Sequence, residues 1–325
     1  MNTEMKAPNL LYKYRMFTAQ TVDQLCLDQL YFADPLYFND PLDTKPCVEV
    51  DEDCNLEVLR RTVTAMINNR CISELSVAAK SIKYFGPKTT AQIEKISASN
   101  VKLVLEDAEY AATDPDSGIP EAEALRWELA QIIENELLRQ YDKGVVSLAE
   151  RFDCPLMWSH YGDQHRGICI GFRPPQEAIS ELQEVIYGGD RKVSAKDVAA
   201  LVLHGDALAR DRVDKAVLFK KAEDWSYEKE WRLIGPKGSI DSALDFAEIV
   251  FGMRCPDTVK YALIQTFEKR KRPPEFFEIN PVRGTFRLDR KEVDKDELKS
   301  RFPRNARSEI EEFSDLLESA SRSSP

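Results

Sequence analysis

The feature that most constrains this chain is a change of hydrophobic period that occurs twice. LYKYRMF, residues 11–17, alternates with a period of two, which puts Tyr12 and Tyr14 on one face of a strand and Lys13 and Arg15 on the other. From Asn55 to about Lys143 the period becomes 3.6. Leu56, Leu59, Val63, Met66 and Ile67 recur at helical spacing, and so do Leu125, Leu129, Ile132, Ile133 and Leu137. After Gly144, short strand-like segments return in VVSLAERF, GICIGF, EVIYG, EWRLI and AEIVFG. Strand segments on both sides of a helical block predict an α+β fold with a split, mostly antiparallel β core. Residues 1–52 and 144–290 supply that core, 53–143 form a helical insertion, and 291–325 form a charged tail with a C-terminal helix.

Local signals refine the outline. Thr21 is placed to cap a short helix through Val22, Leu25 and Cys26, with Gln24 at the capping-box position. Asp34-Pro35 and Asp40-Pro41 interrupt pairing after LYF, so a strand should run into turns. Pro120 and Gly144 bracket the last helix of the insertion, and DPDSG at 114–118 reads as a surface loop. One helical stretch is predicted from about Ala195 to Lys221. In the tail, Ser308 and Glu311 form a capping box before Ile310, Phe313, Leu316 and Leu317.

Composition narrows the class. Acidic residues outnumber basic ones 56 to 45, a net charge of −11, so the chain as a whole repels a phosphate backbone. Seven scattered cysteines without a CxxC pair suit reduced thiols. No apolar run reaches the roughly 18 residues of a bilayer span, and the N-terminus lacks a secretory pattern; a cytoplasmic protein with no membrane partner is expected.

Two of the three histidines fall in MWSHYGDQHRGICIGF, residues 157–172. With Cys154 and Cys169 they make C-x5-H-x4-H-x3-C, which has zinc-type ligands but not the spacing of a structural zinc site, so no metal is assigned. No nucleophile elbow, P-loop or GxGxxG is present. Glu228 and Glu230 in YEKEWR are two apart, so on a strand both carboxylates share one side. A fixed carboxylate pair suits glycosyl transfer through an oxocarbenium-like transition state, and a solvated strand face is the alternative.

YKYR, FNDPLD at 38–43, LMWSHYGDQHRGICIGF and K-x-x-x-W-x-Y-E-x-E-W-R from Lys221 to Arg232 together resemble the bacterial family called domain of unknown function 2971. More distantly, the order of a Tyr-Arg strand with its helix, a strand leading to CPLMW, and a Glu-bearing strand is similar to ADP-ribosyltransferases of the DNA-modifying toxin type. That resemblance implies an ADP-ribosyltransferase-like fold and NAD as substrate. It places Lys13 or Arg15, on the strand that carries Tyr14, and Trp158 or Tyr161 at the dinucleotide; His160 and His165 exceed what the resemblance demands, and one of them is expected at a phosphate, at the target, or in the turn before Gly167. Glu230 becomes the stabiliser of the ribosyl cation, with Glu228 beside it. The resemblance further implies a defence or toxin role, with protein, nucleic acid or water as acceptor. Two other classes stay open: a nuclease built on His160, His165, Glu228 and Glu230, and a non-catalytic ligand-binding module.

Overall fold

The computed structural model describes residues 8–51, 54–84 and 86–307. The tail helix expected from Ser308 onward lies outside the described residues. The fold is mixed α/β with mostly antiparallel pairing, and no described helix is long and apolar enough to cross a membrane. The chain divides into two compact units, each assembled from separated segments.

The first unit takes residues up to Asp28, Ala149–Glu177 and Ala243 onward. Its strands lie in the order Leu288–Glu292, Glu275–Pro281, Asp245–Phe251, Ile168–Arg173, Leu11–Arg15. LYKYR pairs antiparallel with ICIGF, Tyr14 opposite Cys169 and Arg15 opposite Ile168. Asp245–Phe251 and Glu275–Pro281 run parallel, which demands a crossover, and the helix Asp257–Phe267 supplies it. The alternation in LYKYR has the expected effect: Leu11, Tyr12 and Tyr14 are buried, while Lys13 and Arg15 are half-buried.

The helix after this strand runs Ala19–Cys26, and its cap is Thr18 rather than Thr21. Thr18 Oγ1 accepts from the Thr21 amide at 3.1 Å, while the Thr21 hydroxyl donates to the Met16 carbonyl at 3.0 Å. Starting the helix three residues earlier brings Thr21 inside it, where a hydroxyl bonds back along the chain.

The second unit takes Gln29–Leu148 and Ala178–Ser242. Three long helices, Leu56–Ser81, Thr89–Ala112 and Glu121–Arg139, put Leu59, Val63, Ile67, Leu129 and Ile133 in one core. The same core takes in Val145, Val193, Val198, Val213, Val217 and Phe219, so the helical block is not sealed on itself. Gly144, read as the punctuation after the last helix, lies inside the strand Lys143–Ala149. A side chain there would meet Phe32 Cβ at 2.8 Å, so the residue serves close packing rather than a helix end.

The single helix expected over 195–221 is two, Ala195–His204 and Ala207–Leu218. Gly205 takes a left-handed φ of 66°, and Asp206 caps the second helix through the Leu208 and Ala209 amides. The strands Lys143–Ala149, Glu230–Pro236 and Leu182–Glu184 follow one another in a sheet, with Trp231 opposite Glu184.

Candidate functional site

The two glutamates of YEKEWR meet in the second unit, by a route different from the one their spacing implied. Glu228 ends the 3-10 helix Glu223–Glu228, Lys229 turns the chain in a left-handed conformation at φ 44°, and only then does the strand begin at Glu230. The pair is therefore not two steps along one strand, because the tight turn at Lys229 intervenes.

A single cation brings the carboxylates together. Lys221 Nζ lies 2.6 Å from Glu228 Oε2 and 2.9 Å from Glu230 Oε2. On the other side of Glu230, Arg232 donates through Nε to Oε1 at 2.7 Å. The same guanidinium grips Asp43, at 2.7 and 2.9 Å to its two oxygens, and donates Nη1–H to the Leu218 carbonyl at 2.7 Å. Asp43 comes from the FNDPLD turn, where its amide bonds to the Asp40 carbonyl at 3.1 Å.

These five side chains, Asp43, Lys221, Glu228, Glu230 and Arg232, are each at most 6% exposed. Their formal charges are three negative and two positive, which leaves one negative charge in excess. Burial works to raise the Glu230 pKa, but the charges of Arg232 and Lys221 outweigh it and hold the carboxyl well below the usual carboxylate range. Burial likewise works against the Lys221 ammonium, and Glu230 and Glu228 keep it protonated. Aromatic rings close the cluster: Phe38 stands 5.5 Å from the Arg232 guanidinium and Trp225 stands 5.2 Å from the Lys221 ammonium. The Tyr187 hydroxyl accepts the Glu230 amide at 2.7 Å.

The remaining candidates belong to the first unit, and several are packed away. Trp158 is fully buried, donates Nε1–H to the Phe152 carbonyl at 2.7 Å and meets Tyr14 edge-on at 5.1 Å. Its other neighbour is His165, stacked at 5.9 Å. Tyr14 is buried and donates to the Arg151 carbonyl at 2.8 Å. Both rings are taken up in the core of the first unit. Lys13 and Arg15 are half-buried, His160 is exposed at the end of the helix Pro155–His160, and Tyr161 is half-buried beside it.

The turn containing the second histidine explains much of its own motif. Asp163, Gln164 and His165 are three consecutive residues with positive φ, at 49°, 53° and 68°. Each such residue without a glycine costs roughly 1–2 kcal/mol, so the surroundings must hold the turn in place. The His165 amide donates to the Trp158 carbonyl and its own carbonyl accepts the Arg254 amide at 2.8 Å. A Cβ on Gly167 would lie 2.3 Å from the Arg15 carbonyl, and one on Gly252 would lie 2.2 Å from the His165 carbonyl. His165 Nδ1 is buried without a hydrogen-bond partner among the described residues. Burial, then the nearby Arg254, lowers its pKa, which keeps the ring neutral.

Cys154 and Cys169 are both buried, and burial pushes the Cys169 thiol well up, the opposite of a metal-ligating thiolate. Among the described residues no three His, Cys, Asp or Glu side chains group as a metal site.

Three cluster members, Asp43, Lys221 and Arg232, were not singled out by the spacing argument. FNDPLD and the K-x-x-x-W-x-Y-E-x-E-W-R pattern contained them, and their convergence was the missing step. A further buried group, Glu248 with Tyr12 and Arg290, also escaped it. Arg290 pairs with Glu248 and stacks between Phe152 at 4.6 Å and Phe277 at 4.2 Å. No curated protein and no solved structure matches the chain. Residues 157–233, which hold the strained His165 turn, Lys221, both glutamates and Arg232, match the family model described as protein of unknown function (DUF2971).

Proposed function

We propose that this chain cleaves the bond between nicotinamide and ribose in NAD, passing ADP-ribose to water or to an acceptor, with the buried cluster as the electrostatic part of the site. The observation that carries the reading is the excess negative charge around Lys221, fixed by two carboxylates at 2.6 and 2.9 Å. When the bond breaks, nicotinamide leaves as a neutral base with the bonding electrons, and positive charge spreads over the ribose carbon and ring oxygen. A preorganised anion in low dielectric stabilises that charge far better than water does. Attack by water or an acceptor hydroxyl completes the transfer and releases one proton. An ADP-ribosyltransferase-like architecture and a bacterial defence or toxin role belong to the same proposal.

Burial favours a second reading. Glu230 is 3% exposed and Arg232 is 0% exposed, the profile of an ion cluster that fixes a fold. In that case the chain is a binding module and the carboxylates touch no substrate. Nicotinamide release from NAD, measured alongside thermal unfolding for the wild type and Glu230→Gln, separates the two. Catalysis predicts release that the substitution removes from a folded protein. A structural cluster predicts no release from the wild type and a lowered melting temperature in the variant.

A further inference from the structure

Away from the ion cluster, the second unit has a cleft of about 390 Å³ between one face of the helix Glu121–Arg139 and the strand segment that includes Cys47–Glu49. Glu123, Arg126, Trp127 and Ala130 stand at i, i+3, i+4 and i+7, so they form one stripe along that helix. Val48 and Val50 form the opposite wall. The strand is tied to the helix from below, because the Val48 amide donates to Glu134 Oε1 at 2.6 Å.

Two features of the stripe are out of place in ordinary packing. Trp127 is 59% exposed. Arg126 Nε is buried and finds no hydrogen-bond partner among the described residues. A buried donor without an acceptor is costly, and a guanidinium edge donates two parallel bonds to a carboxylate. The indole beside it offers a flat apolar surface, and Glu123, one turn away, offers a negative charge to a positive group. The volume falls within the roughly 300–1,000 Å³ of small-molecule sites.

We propose that this cleft binds a small amphoteric molecule, a free aromatic amino acid. Its carboxylate lies on Arg126, its ammonium faces Glu123, and its apolar side rests on Trp127, Val48 and Val50. The site is separate from the carboxylate cluster and does not depend on NAD chemistry.

Calorimetric titration of the full chain with L-phenylalanine, phenylalaninamide and N-acetyl-L-phenylalanine tests it. L-phenylalanine should bind at a single saturable site. The amide, which lacks the carboxylate, should bind at least about tenfold more weakly, as loss of a charge-assisted bond requires. The acetylated form should also lose affinity, and Glu123→Gln should remove that preference. Arg126→Gln should weaken L-phenylalanine by about tenfold or more without lowering the melting temperature, since the Nε it replaces is a buried donor that makes no internal bond. Trp127→Ala, at an exposed position, should weaken all three ligands together. Absence of saturable binding by any of the three, or equal affinity in wild type and a folded Arg126→Gln, would overturn the proposal. Tighter binding of the acetylated form than of the free amino acid would overturn the amphoteric assignment.

Discussion

Arg232 holds Asp43 by both carboxylate oxygens, at 2.7 and 2.9 Å, although 189 positions separate them in sequence. Both side chains are at most 3% exposed, so neither has water to fall back on when the other is removed.

Asp43→Asn should therefore destabilise the protein by about 1–3 kcal/mol, the worth of the charge-assisted hydrogen bonds from Arg232, which keeps Glu230 as its remaining partner. Urea unfolding monitored by circular dichroism gives the value. Asp43→Asn combined with Arg232→Met should cost less than the two single changes added together, because both break the same contact. A double variant weaker than the sum of both single changes contradicts this account.

Glu230→Gln should lower nicotinamide release by about a hundredfold, the worth of one electrostatic contact made in the transition state. The same change should flatten the acid limb of stability. A carboxyl depressed below its ordinary 4.5 contributes in full above that pH and loses its contribution as pH falls through the folded value. Unfolding free energies of the wild type should thus drop more steeply than those of the variant below about pH 4.5. Parallel curves for the two proteins would remove Glu230 from the acid response.

His165 should act in a milder window. Its pKa is lowered from 6.5, so the unfolded chain takes up a proton before the folded one does. Stability from this residue is complete above about pH 6.5 and declines as the solution is acidified toward the folded value. His165→Asn, which tolerates positive φ, should weaken that decline between about pH 7 and pH 5. Nuclear magnetic resonance titration of the His165 ring checks the direction.

Gly167→Ala should be damaging out of proportion to one methyl group. The new carbon would sit 2.3 Å from the Arg15 carbonyl, a backbone atom that cannot turn aside. A loss of at least about 1–3 kcal/mol is expected from the forced shift, with amide exchange accelerated along Leu11–Arg15. Unchanged exchange in that strand would mean the close approach is absent in solution.

The strands of the first unit were legible because their alternation survives in the folded chain, with Tyr12 and Tyr14 inside and Lys13 and Arg15 at the margin. The break at Gly205-Asp206 was also written in the sequence, as a helix-ending glycine followed by an N-cap aspartate, and continuous apolar periodicity concealed it. Asp43 could not be assigned from local pattern. Its partner lies in another segment, and nothing in NDPLD distinguishes a buried salt-bridge acid from a solvated turn acid. Trp158 is illegible for the opposite reason: an aromatic beside histidines suits a ligand and a core alike, and here the indole is buried against His165.

The division into units has a consequence for synthesis. The boundary between them is crossed at residues 28/29, 148/149, 177/178 and 242/243, so neither unit is encoded by one continuous stretch. While the ribosome is extending the helices of residues 56–139, the strand Leu11–Arg15 has already emerged with its partner Ile168–Arg173 still unmade. That nascent edge, rich in tyrosine and open to stray pairing, must wait for more than a hundred and fifty residues of translation. Chaperone protection during elongation matters more for this chain than for one whose units are read out in sequence.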